Sequence, residues 1–236
     1  MSQIGTLTTG AGVATNIVGQ SKCDSFLLIG DIDTANPLQG LTVEIEGVAF
    51  FTVANAATLL TAYAKWQQEL NAGTVGVLFK LSTGAIYKNT TYRLTNAGAT
   101  VPNIYAFSDA PDGVPFYVST VTINALSSQT FERFSALFLQ TPANVSSVEV
   151  ERYIDPDQKE LGTYRETMHI VEVDAYFNMF NQCEADGRLG GVSVIDNTPG
   201  DIASVKINTN NVGALTVLQA KLPDEAHREM KRRGKW

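Results

Sequence analysis

The run Leu41-Thr42-Val43-Glu44-Ile45-Glu46-Gly47 alternates apolar and polar residues without a break. Side chains along an extended chain point alternately to opposite faces. Leu41, Val43 and Ile45 therefore share one side, and Thr42, Glu44 and Glu46 the other. Wound into a helix, the same residues would mix carboxylates into the apolar face. The run reads as a strand with one face buried and one solvated. The same period recurs at Val75, Val77, Phe79 and Leu81, and again over 147–153. Period two, repeated along the chain, is the strongest constraint on its fold.

Further strands are expected at 26–29, 48–53, 85–94, 116–123, 131–139, 168–177, 191–195, 202–208 and 214–221. Ser82-Thr83-Gly84, Asp186-Gly187, Asn197-Thr198-Pro199-Gly200 and Asn210-Asn211-Val212-Gly213 supply turn chemistry between them. Two helices stand out. Leu59, Tyr63, Trp66 and Leu70 fall on one helical face, with Asn55 or Thr58 as the cap and Asn71-Ala72-Gly73 as the stop. A closing helix starts at Pro223, carries Asp224 and Glu225 in its first turn and Lys231 to Arg233 in its last, and ends at Gly234. About a dozen short strands with no βαβ alternation predict an all-β sandwich, not a doubly wound sheet. Residues 5–19 lack any period and read as a mobile arm, or an arm ordered only by a partner. Residues 95–116, rich in Gly and Pro, read as a long irregular excursion, and Asp155-Pro156-Asp157 as a domain boundary.

Hydrophobic residues make up 44% of the 236 and charged residues 17%, enough for a real core and too few charges for a disordered polyelectrolyte. No apolar run approaches the roughly 20 residues of a spanning helix. Residues 1–20 have no basic n-region before a compact apolar segment, so no secretory signal is read there. Cys23 and Cys183 form no Cys-x-x-Cys pair. They are expected as buried thiols, with a single long-range disulfide left open.

Catalytic residue types are scarce. His169 and His227 are the two histidines. His169 lies inside an apolar strand pattern and is expected to pack there; His227 lies on the basic closing helix. No Gly-x-Ser-x-Gly, His-Glu-x-x-His or Walker loop occurs. Asp31/Asp33 and Asp155/Asp157 are paired carboxylates of the kind that hold hard cations. Asp155/Asp157 flank Pro156 and Asp31/Asp33 lie shortly before the Asn36-Pro37 turn; both lack the distal ligands of a calcium loop, so turn formation is the expected role. Glu149 and Glu151 share a strand face and are expected to be solvated. A hydrolase would have to draw on Asp155, Asp157 and His169, which is thin support. The chain is expected not to be an enzyme, and neither cofactor nor metal is expected. Asn89-Thr90-Thr91 and Asn144-Val145-Ser146 match the glycosylation triplet. Tyr105, Phe107, Phe116 and Tyr117 form an aromatic group without interleaved bases, which fits internal packing, an oligomer contact or sugar binding better than nucleic acid.

The net charge is −7, and it is segregated. Arg228, Lys231, Arg232, Arg233 and Lys235 lie within the last nine residues against the single acid Glu229, which leaves −11 on the remainder. Such a tail attracts a polyanion, either genome or anionic lipid, and Trp236 adds a ring suited to a lipid interface. The opposing expectation is that these bases merely complement a helix dipole.

The order from Leu38 to Tyr63 is specific: a loop, the alternating strand ending Val43-Glu44-Ile45-Glu46-Gly47, a second short strand Val48 to Phe51, then a Leu-rich helix. It resembles the opening of the jelly roll in major capsid proteins of tailless, membrane-containing icosahedral phages. The departure is Glu46, where that family often has Asn or Asp before the Gly. Ile202 to Ile207 is a weaker echo. The resemblance implies a jelly-roll β-sandwich over 21–153, after a flexible N-terminal arm at 1–20 and before a smaller C-terminal β extension with a basic terminal helix at 154–236. A compact double jelly roll split near 125 is the alternative, disfavoured because it needs sixteen strands. It also implies a structural virion protein, the major capsid protein, that self-assembles into capsomers and an icosahedral shell. Its partners would be copies of itself and other virion proteins, and its location the virion, after assembly in the host cytoplasm. A β-sandwich glycan-binding, decoration or tail module is the rival reading, resting on the aromatic group at 104–117.

Overall fold

The computed structural model describes residues 2–6, 12–18, 25–29, 38–45, 48–53, 57–70, 77–80, 90–96, 105–108, 117–173 and 191–222. The fold is predominantly antiparallel β with few short helices. Contacts divide the chain into one unit of Met1–Ser119 with Leu222–Trp236, and a second unit of Thr120–Lys221.

The first unit holds β1 (Ser2–Thr6), β2 (Ala14–Val18), β3 (Ser25–Ile29), β4 (Leu38–Ile45), β5 (Val48–Val53), helix α1 (Ala57–Leu70), β6 (Val77–Lys80), β7 (Thr90–Asn96) and β8 (Tyr105–Ser108). These strands form two four-stranded sheets, ordered β1-β8-β3-β6 and β2-β7-β4-β5. In β4, Leu38 and Leu41 are both buried, the ladder to β7 shifting register between Leu38 and Gly40; Ile17 of β2, Val53 of β5, and Tyr92 and Leu94 of β7 are buried as well. Each such side chain contributes about 1.5–3 kcal/mol on burial. Leu59, Tyr63 and Trp66 of α1 are buried as their spacing predicts, and α1 packs on β4 and β6. The Tyr63 and Trp66 rings lie 6.1 Å apart at 38°. Burial pushes the Tyr63 phenol well above its ordinary pKa, so it stays neutral.

The second unit holds β9 (Tyr117–Ile123), which carries the chain across the division, then β10 (Ser128–Glu132), β11 (Ala136–Leu139), β12 (Val145–Tyr153), β13 (Thr163–Met168), β14 (Ser193–Asp196), β15 (Ile202–Thr209) and β16 (Leu215–Lys221). Its sheets are ordered β9-β16-β11-β14 and β10-β15-β12-β13. These are the orders of the first unit with eight added to every index. Two four-stranded sheets with this crossing order make a jelly-roll-like β-sandwich, and the chain contains the pattern twice. The parallel extends to the helices. α1 follows the fifth strand of the first unit, and a helical turn at 170–173 follows the fifth strand of the second. The core of the second unit joins Leu137 and Leu139 of β11, Val148 and Val150 of β12, Val205 and Ile207 of β15, and Val217 of β16.

Several expectations need correction. Sixteen strands are present among the described residues, so the count that disfavoured two sandwiches does not hold. The division falls at 119/120, not at 153. Asp155-Pro156-Asp157 is the turn joining β12 to its antiparallel partner β13, inside the second unit. The arm expected at 1–20 contains β1 and β2, each paired in a sheet. The excursion at 95–116 contains β8, a central strand between β1 and β3. The strand expected at 131–139 is two strands, broken where Arg133 takes φ 52°. The strand expected at 168–177 ends at Met168, and the helical turn follows it. Outside the described residues lie the closing helix, Cys23, Cys183, Asp31, Asp33, Asn89, Phe116 and His227.

Candidate functional site

Among the described residues, no group of three or more His, Cys, Asp or Glu is placed to hold a metal ion. The candidate catalytic residues have structural occupations. Asp155 Oδ1 accepts the Asp157 N–H at 2.9 Å, closing a turn. His169 is exposed, not packed in a strand, and it starts the helical turn: its N–H donates to Glu172 Oε2 at 2.7 Å, and Glu172 N–H donates back to the His169 carbonyl at 2.9 Å. The Glu172 side chain thus caps the first N–H of the helical turn that follows β13. Asn144 is buried and its Nδ2 donates to the Ala214 carbonyl at 2.7 Å, so its triplet is not an open glycosylation acceptor. Tyr105 and Phe107 lie in β8, a central strand, and Tyr117 opens β9. Arg228, Lys231, Arg232, Arg233, Lys235 and Trp236 lie outside the described residues.

What the second unit presents instead is exposed apolar side chains in the turns at its two ends, and one polar sheet face. At one end, the turns β9–β10, β11–β12 and β15–β16 are clasped together. Ser127 N–H donates to Thr209 Oγ1 at 3.1 Å, the Thr209 hydroxyl donates to the Asn124 carbonyl at 2.6 Å, and Asn210 Nδ2 donates to the Ala143 carbonyl at 2.8 Å. Above this clasp, Leu126 and Val212 are 76% and 73% exposed. Leu126 holds φ 55°, a left-handed conformation uncommon for leucine. At the other end, Ile154 and Leu161 of the β12–β13 turn are 59% and 54% exposed. Between the ends, the outer face of β10-β15-β12-β13 carries Thr130, Lys206, Glu149 and Thr167 in one cross-strand row and Glu132, Ser204, Glu151 and Arg165 in the next.

Two carboxylates of that face, Glu149 and Glu151, are held in their charged form. Lys206 Nζ and Asn208 Nδ2 donate to Glu149 at 2.7 and 3.1 Å, which lowers its pKa. Thr163 and Ser204 hydroxyls donate to Glu151 at 2.6 and 2.8 Å, which lowers it likewise. These residues were expected to be merely solvated; the sequence shows the alternation but not the cross-strand register that pairs them. The exposed Leu126 and Val212 carried no signal beyond lying in turns.

Among the solved structures similar to this chain are two viral capsid proteins. The major capsid protein P2 from bacteriophage PM2 aligns with a TM-score of 0.53 at 13% identity, over 93% of this chain and 95% of that chain. The STIV MCP aligns with a TM-score of 0.51 at 9% identity, over 94% of this chain and 96% of that one. No family model matches the sequence, and no curated protein matches it. At these identities the likeness is one of fold: the chain shares the jelly-roll-like architecture of viral capsid proteins along nearly its whole length.

Proposed function

We propose that this chain is a structural protein of a virion, the major capsid protein of an icosahedral phage, acting by self-assembly into capsomers. The observation that carries the reading is the strand order found twice over, together with a fold likeness to a phage major capsid protein that covers 93% of this chain. The surface chemistry agrees. The second unit offers hydrogen-bonded turn clusters topped by exposed aliphatic side chains. Such turns supply lateral contacts between subunits or to other virion proteins. The basic tail, Arg228 to Lys235 with Trp236, supplies the attraction to anionic lipid or genome inside the shell. The protein acts in the virion after assembly in the host cytoplasm. Negative-stain microscopy of the purified chain, concentrated at moderate salt, tests the reading: ordered capsomers or shells are expected, and dispersed single particles under every condition contradict it.

A further inference from the structure

We propose that β13, with the turn 154–162, is an acid-releasable edge strand, attached to its sandwich through carboxylates and scarcely by apolar packing. Among the described residues, β13 is the edge of the sheet β10-β15-β12-β13. Its register pairs Val150 with Glu166 and Arg152 with Tyr164. The face that buries Val148 and Val150 on β12 therefore carries Glu166 and Tyr164 on β13, and Tyr164 is 46% exposed. Residues 163–167 are all exposed, and Met168 alone packs against the core. By contrast β15, on the other side of β12, buries Ile202, Val205 and Ile207. The hydrophobic effect holds β15 and leaves β13 nearly unanchored.

The side chains of β13 that reach across to β12 meet or carry a carboxylate. On the outer face, Thr163 donates to Glu151, and Arg165 lies 3.6 Å from Glu149. On the inner face, Arg152 donates to Glu166 at 3.3 Å and also binds Asp201, just before β15. Glu149 and Glu151 are simultaneously fastened to β15 through Lys206, Asn208 and Ser204. Glu132 of β10 ends the outer row beyond Ser204, adding like charge to the same face. Protonating these acids weakens the side-chain links of β13 together, leaving the backbone ladder and Met168. The sign follows from the hydrogen bonds to the ionised forms. Glu149 and Glu151 have folded pKa values below their ordinary ones, so their contribution is present above the ordinary carboxylate range and lost as pH falls through the lowered values.

Hydrogen exchange read by mass spectrometry on the full chain, over a series of pH values and corrected for intrinsic rates, tests this. The expected result is loss of protection at 163–168 at an acidic pH where 145–150 and 202–207 keep theirs. The double variant Glu149→Ala/Glu151→Ala is expected to lose protection at 163–168 already at neutral pH. Thr163→Val/Arg165→Ala, which alters only β13, is expected to do the same should the first variant fail to fold. Simultaneous loss across β12, β13 and β15 in the wild type, or full protection of 163–168 in the β13 variant at neutral pH, overturns the proposal.

Discussion

Asn197 holds Ile202 by two hydrogen bonds, its Oδ1 accepting the Ile202 N–H at 2.9 Å and its Nδ2 donating to the Ile202 carbonyl at 3.0 Å. The same Nδ2 reaches the Phe134 carbonyl at 3.1 Å, and the Asn197 N–H reaches the Ser135 carbonyl at 2.8 Å. One buried amide thus stands in for a strand pair and ties the β14–β15 turn to the β10–β11 turn. Asn197→Ala leaves a buried N–H and two carbonyls without these partners. It is expected to cost about 2–4 kcal/mol, read as a shift in the urea unfolding midpoint. A cost below about 0.5 kcal/mol contradicts the role assigned to this amide.

Leu126 is the opposite case, an exposed side chain on a disfavoured backbone. Asparagine tolerates φ near 55° better than leucine. Leu126→Asn is therefore expected to leave subunit stability unchanged or raise it by up to about 1 kcal/mol, while weakening any assembly that uses this turn cluster. Calorimetry and sedimentation of the same variant separate the two effects. A clear loss of thermal stability contradicts the reading of Leu126 as a surface residue.

In α1, Leu59 is fully buried. Leu59→Ala is expected to cost about 2–5 kcal/mol through lost transfer energy and the cavity left behind. A loss under about 0.5 kcal/mol in denaturant titration indicates a stripe that is not packed in the isolated chain.

Deleting 231–236 removes Lys231, Arg232, Arg233, Lys235 and Trp236. The expected outcome is an unchanged circular dichroism spectrum with reduced, salt-sensitive association with anionic liposomes or nucleic acid, measured by co-sedimentation. Undiminished binding at low salt contradicts a role for the tail in polyanion contact.

How much of this was legible depended on burial. β4, β12, β15 and β16 announce themselves because one face or both are apolar. The strands that were missed bury little or are very short. β10 buries Phe131 alone, and β13 packs only Met168. β1 and β2 hide for another reason. A Cβ on Gly5 would stand 3.0 Å from Ile17 Cγ1, so a larger residue there would crowd the buried Ile17 of β2. The glycine that suggests a loose arm leaves room for that side chain. Period two is a signal of burial, and edge strands and close-packed glycine strands do not emit it. The carboxylate ladder was half-visible: Glu149 and Glu151 share a face by spacing, but Ser204, Lys206 and Asn208 join them only through a register set by contacts distant in sequence.

Light scattering coupled to size-exclusion chromatography tests the central claim most directly. The account predicts a discrete homo-oligomer, a whole-number multiple of 25.5 kDa, that persists on dilution and gives way to larger assemblies as concentration rises. A single 25.5 kDa species at every concentration and salt would contradict the assignment as a self-assembling shell protein.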